Sequence, residues 1–172
     1  SFSELTGSAS VSSTSISGGF EDNFRVVNTS GTLNRITFSA VTIGANSTTD
    51  GNDGIILEAL TGAAILNATI QNSTFTSARG DLFNCLNHGT ATCDLVFTGN
   101  TLSNNHPGIA TGGGGVTISG GDLGGSLTYN VSGNTFRDSD GTAVLIVKST
   151  GAGTYSGTFA NNQIGVSGVA AN

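Results

Sequence analysis

Arg79, His106 and Asp140 share one offset, four positions after Phe75, Leu102 and Phe136, which close three copies of a short apolar repeat. If the copies stack, a guanidinium, an imidazole and a carboxylate lie a few Å apart, a set able to move a proton or grip a polar sugar. The same residue types at a turn corner also make an ordinary surface ion pair. Further carboxylates crowd two glycine turns, Asp50-Gly51-Asn52-Asp53-Gly54 and Arg137-Asp138-Ser139-Asp140-Gly141. Asp50, Asp53, Asp138 and Asp140 are therefore candidate oxygen ligands for Ca2+. Neither segment matches the EF-hand loop or a Gly-Gly-x-Gly-x-Asp repeat, and Gly/Asp turns also serve simply as solvated corners. No other cofactor is expected. Cys85 and Cys93 bracket a short polar stretch, the spacing of a disulfide closing a corner loop in an exported protein. Such a bond stabilises by about 2.5 kcal/mol in the loop-entropy description. The other reading is two buried thiols; a metal site with His88 lacks a fourth ligand.

The elements that must position these groups show themselves by repetition. Val131-Ser132-Gly133-Asn134-Thr135-Phe136 sets two apolar residues around small or amide side chains, and the pattern recurs at Val11–Ile16, Phe38–Ile43, Ile70–Phe75, Phe97–Leu102 and Phe159–Ile164. From Ile16 to Ile43, Phe75, Leu102, Phe136 and Ile164 the steps are 27, 32, 27, 34 and 28 residues. A period of this size belongs to stacked architectures, in which each unit buries its apolar face against its neighbours.

Composition narrows the choice. Gly, Ser, Thr and Asn dominate, Pro occurs once, and charged residues make up 9% of the chain, a mix that disfavours helices because the polar side chains compete for backbone bonds. Disorder is disfavoured too, since β-branched and aromatic residues recur at regular spacing and the charge density is low. The net charge of −6 with five scattered basic residues leaves no cationic surface for phosphates, so no nucleic-acid partner is expected. No apolar run reaches the roughly 20 residues of a spanning helix, and no membrane insertion is expected. The five Asn-x-Ser/Thr sequons, at Asn28, Asn46, Asn67, Asn72 and Asn130, arise readily by chance in so Ser/Thr-rich a chain.

Each unit carries three short apolar segments. After the marker and a polar turn come Phe24–Val27, Gly54–Leu57, Leu82–Phe83, Gly108–Ile109 and Thr142–Val147; alternating residues such as Ile36 and Phe38, or Leu95 and Phe97, then lead into the next copy. Period two puts one face in and one out. Stacking makes Phe38, Ile70, Phe97, Val131 and Phe159 one interior column and Ile43, Phe75, Leu102, Phe136 and Ile164 a second. Asn100, Asn134 and Asn162 fall in register between them as a ladder of amides. The unequal steps are assigned to loops at Ala45–Asp53 and Gly112–Gly125.

Three strands per unit, with the apolar-x-x-Asn-x-apolar turn of Phe97–Leu102 and Val131–Phe136, resemble the right-handed parallel β-helix of the pectate-lyase-like superfamily over nearly the whole chain. The expected fold is all-β, a right-handed parallel β-helix of about six rungs with no substantial helix. It forms one domain over residues 1–172, either a segment of a longer solenoid or a unit that stacks end to end. The family's lyases imply a catalytic Arg in an Arg-x-Pro setting, and its galacturonases paired Asp with Gly-His-Gly. Here Arg25, Arg35, Arg79 and Arg137 have no Pro two positions on, no two Asp are adjacent, and neither His lies between glycines. Asn28–Asn34 and Val131–Phe136 instead resemble β-helical repeats of large bacterial exported and surface proteins. That resemblance implies a non-catalytic, extracellular or cell-surface structural or adhesive module. Its expected partners are its own copies end to end, the rest of a longer chain, or surface glycans. The alternative is a carbohydrate-active trunk, polysaccharide lyase or glycoside hydrolase, or a glycan-binding module. Ice binding calls for a flat regular Thr array, which the unequal rungs disfavour. The uncharged ends, 1–10 apart from Glu4 and 165–172, carry nothing that repels a partner strand.

Overall fold

The computed structural model describes residues 1–104, 113–139 and 141–165. They form six turns of a parallel β-solenoid, three strands to a turn and no helix among the described residues. The first turn holds β1 (Phe2–Ser3), β2 (Gly7–Ser12) and β3 (Ser15–Ile16). The second holds β4 (Phe24–Asn28), β5 (Thr32–Ser39) and β6 (Thr42–Ile43), and the third β7 (Ile55–Ala59), β8 (Ile65–Gln71) and β9 (Thr74–Phe75). In the fourth are β10 (Phe83–Asn87), β11 (Thr92–Thr98) and β12 (Thr101–Ser103), and in the fifth β13 (Val116–Gly120), β14 (Ser126–Ser132) and β15 (Thr135–Arg137). The sixth ends the described fold with β16 (Val144–Lys148), β17 (Thr154–Ala160) and β18 (Gln163–Ile164). First, second and third strands of successive turns pair in parallel as three six-stranded sheets.

Both interior columns have the expected register. Val11, Phe38, Ile70, Phe97, Val131 and Phe159 are successive partners in the second sheet. Ile16, Ile43, Phe75, Leu102, Phe136 and Ile164 are partners in the third. Phe38, Phe75, Phe83, Phe97 and Phe136 are fully buried, and the Phe97 ring lies 5.0 Å from Phe83 and 5.9 Å from Phe75. Chain alternation alone explains this filling: every second side chain of a flat strand must enter a lumen with no room for water.

The link from second to third sheet is invariant, two residues in all six turns. Its first residue always has positive φ: Ser13, Ala40, Asn72, Gly99, Gly133 and Asn161 lie between 49° and 67°. Length variation is confined to the other corners. The third-to-first link runs over 17–23, 44–54, 76–82, 104–115 and 138–143, so the loop expected at Ala45–Asp53 is present. The other expected insertion, Gly112–Gly125, is corrected: it contains a strand, β13, whose Val116 and Ile118 pair with Phe83 and Cys85. That strand takes the place expected for Gly108–Ile109, which lie outside the described residues. Four glycines ahead of Val116 read as loop, yet the apolar alternation after them satisfies the register.

Candidate functional site

Of the proposed triad, His106 and Asp140 lie outside the described residues. Arg79 is half-buried, and its backbone N–H donates to Asn46 Oδ1 at 3.0 Å. Of the calcium candidates, Asp50, Asp53 and Asp138 lie among the described residues. Asp50 is exposed and accepts from the Thr49 hydroxyl, and Asp138 accepts from the Ser103 hydroxyl at 3.2 Å, whereas Asp53 is buried. Among the described residues no three His, Cys, Asp or Glu side chains converge as a metal would need.

Asp53 belongs to a different construction that sequence reasoning missed. Asp53 N–H donates to Asp22 Oδ1 (3.0 Å), Asp81 N–H to Asp53 Oδ1 (2.8 Å) and Gly114 N–H to Asp81 Oδ1 (3.0 Å). Carboxylates two residues before β4, β7 and β10 thus tie each turn to the next. The signal was present as Asp22-Asn-Phe24, Asp53-Gly-Ile55 and Asp81-Leu-Phe83, but it becomes visible only once strand starts are known. Asn84 Nδ2 also donates to Asp53 Oδ2 at 3.0 Å. Burial, reinforced by the charges of Asp81 and Asp22 and opposed by these hydrogen bonds, pushes the Asp53 carboxyl up to about 6.

The amide ladder lies where expected. Asn100 N and Nδ2 both donate to Asn134 Oδ1 (2.9 and 3.1 Å), and Asn134 N and Nδ2 to Asn162 Oδ1 (2.9 Å each). Each Nδ2 also reaches back to a carbonyl, of Ile70, Phe97 and Val131 respectively. The ladder runs two turns further than the asparagines: Ser73 N–H donates to Asn100 Oδ1 (2.9 Å), and Val41 N–H donates to Ser73 Oγ (3.2 Å). Asn104 and Asn46 serve the same purpose at another corner, Asn104 Oδ1 accepting from Ala78 N–H at 3.0 Å. Asn46 and Asn28 are buried, so these two sequons are closed in the folded chain, while Asn72 and Asn130 are exposed.

The expected disulfide is absent. Cys85 and Cys93 are free and buried, with their sulfurs 3.6 Å apart. They are inward-facing residues of β10 and β11, in columns with Leu57 and Ile118 and with Leu127, and serve as small apolar side chains. The hydrogen bond with Cys85, then burial, push the Cys93 thiol well above its ordinary value, so it is protonated. On the outer surface, Arg25 pairs with Glu58 at 2.7 Å, Arg35 pairs with Asp94, and His88 Nδ1 approaches Asp122 at 3.6 Å. Glu4 accepts from the backbone N–H groups of Thr29, Ser30 and Gly31 and from the Thr29 hydroxyl, which holds its carboxyl down at about 2.

The second sheet shifts register once, within Leu33–Ile36 of β5, and beyond that shift Ser10, Thr37, Thr69, Val96, Asn130 and Thr158 form one outward row. Val96 and Asn130 interrupt its hydroxyls, and the Arg35–Asp94 pair crosses the adjacent row. No family model matches the chain, and neither does any curated protein or solved structure.

Proposed function

We propose that this chain is a non-catalytic structural or adhesive β-solenoid module of an extracellular or cell-surface protein, a rigid rod segment akin to the β-helical repeats of large bacterial exported proteins. One observation carries the reading: a column of carboxylates and a column of amides in the wall are taken up in joining one turn to the next. Asp22, Asp53 and Asp81 accept backbone N–H groups across turns, and Asn100, Asn134 and Asn162 do the same. Groups so held lose affinity for a substrate, because binding one would strand a buried donor. The test is incubation with acidic and neutral polysaccharides, followed by assay for reducing ends and for unsaturated products. Neither product is expected. Release that disappears in Arg79→Ala, His106→Ala or Asp140→Ala would replace this reading with the carbohydrate-active one, and a glycan array with the same variants separates binding from cleavage.

A further inference from the structure

The two ends of the solenoid are complementary, and we infer that they form a head-to-tail interface between copies of this chain. Among the described residues, one edge of all three sheets lacks a neighbour at each end: β1, β2 and β3 at the head, and β16, β17 and β18 at the tail. The head carries an apolar hollow lined by Phe2, Leu5, Ala9, Val11, Phe24 and Ile36, and Phe2 is 48% exposed. At the tail Phe159 and Ile164 are 43% and 53% exposed.

The register of the existing turns dictates what a seventh turn would meet. Continuing the two columns places Val11 of the next copy beside Phe159 and its Ile16 beside Ile164. In the second sheet the bulky Tyr155 lies in the column that begins at Gly7, large against small. In the first sheet Ile146 lies in the column that begins at Phe2, and Lys148 in the one that reaches Asn28 and so Glu4, the residue after β1. Lys148 Nζ donates to the Ser149 and Gly151 carbonyls in the single chain, and Glu4 is held by the second turn, so this column brings opposite charges to one corner without requiring a direct ion pair.

The ladder supplies polarity. Within it each turn donates its backbone N–H to a side-chain oxygen of the following turn. Thr14 holds the ladder position of the first turn and donates its hydroxyl to Ser12 O at 2.8 Å, as Ser73 donates to Gln71 O at 2.8 Å. Ser73 in that pose accepts Val41 N–H, so Thr14 is set to accept Asn162 N–H of the preceding copy. Only head-to-tail stacking satisfies both the donor and the acceptor. The interface is heterologous and does not close, so it extends into rods with an axial repeat of about 29 Å, six turns at about 4.8 Å.

This inference builds on the structural reading but fails separately from it, since rod formation is scored without any sugar. The test is sedimentation and negative-stain electron microscopy of the wild-type chain over a concentration series, with Val11→Lys and Phe159→Lys variants checked for native circular dichroism. Phe2→Lys replaces Val11→Lys should the latter fail to fold. Rods that lengthen with concentration are expected from wild type. Each variant alone is expected to stay monomeric, and an equimolar mixture to stop at dimers, because one intact head meets one intact tail. A wild-type chain that remains monomeric at every concentration, variants that still form rods, or a mixture that forms no dimer each overturn the proposal. The monomeric outcome would assign the end surfaces to further turns of a longer chain.

Discussion

Asn134 is the clearest case of a single side chain placed by its hydrogen bonds rather than its packing. Replacing it with Ala leaves Asn100 N–H and Phe97 C=O without these partners inside the wall, a loss of about 3 kcal/mol at roughly 1–3 kcal/mol per stranded group. Ser73 shows that a hydroxyl can hold the accepting role. Asn134→Ser is therefore expected to cost distinctly less than Asn134→Ala in urea unfolding. Asp53 works in the opposite sense. Its carboxyl titrates near 6 in the fold against an ordinary 3.8, so the folded state holds the proton more tightly. Its contribution is complete below pH 3.8 and is lost as pH rises through 6, by up to about 3 kcal/mol at 1.36 kcal/mol per pH unit. Glu4, held near 2 against 4.5, acts in reverse, and its bonds are lost only as pH falls from 4.5 toward 2. Thermal melts are thus expected to show stability level above about pH 7, rising as pH falls from there to about 4.5, and falling in stronger acid. Asp53→Asn is expected to flatten the rising limb and raise the melting temperature at pH 7.5, since the new amide can donate to Asn84 after that side chain flips. An unchanged rising limb in Asp53→Asn would show that another group titrates there.

Among the elements, β11 tests the packing. Phe97 stands between Ile70 and Val131 and touches the Phe75 and Phe83 rings; Phe97→Ala is expected to cost about 3–5 kcal/mol by cavity formation. Its neighbour Thr98 faces outward, and Thr98→Ala should cost under about 0.5 kcal/mol; equal losses in denaturant melts would contradict the register. Strands and columns were legible because the lumen takes mostly apolar residues at every second position, and that rule is written directly into the spacing of Phe38, Ile70 and Phe97. The amide ladder was legible for a similar reason, since Asn100, Asn134 and Asn162 keep a fixed distance from the marker. What escaped depends on corners. β13 was hidden behind a glycine run, and the Asp22–Asp53–Asp81 column needs strand starts that unequal loops conceal. The thiols of Cys85 and Cys93 were misread because eight positions of separation suit both a loop staple and two neighbours filling one core. Ser73 was missed because its ladder role follows from position, not residue type.

At the scale of the whole molecule, six turns of similar construction rest on one another in a line, so stability is close to a sum of neighbour contacts. The inner turns bury Phe38, Phe75, Phe97 and Phe136 completely, whereas Phe2, Phe159 and Ile164 at the ends remain exposed. Loosening is therefore expected to begin at an end. The unequal turn lengths, confined to the corners, acquire a mechanical meaning here. A chain pulled by its termini should peel a turn at a time, each release paying out a length of about 3.5 Å per residue. Steps of 27, 32, 27, 34 and 28 residues become extensions of roughly 95 to 120 Å, and their order differs by direction of travel. Peeling from the tail reads short, long, short, long, short as 28, 34, 27, 32, 27, and peeling from the head reads the reverse. In an optical trap the sawtooth would work as a ruler with unevenly spaced marks, reporting from the force trace alone which end of the rod is the weaker.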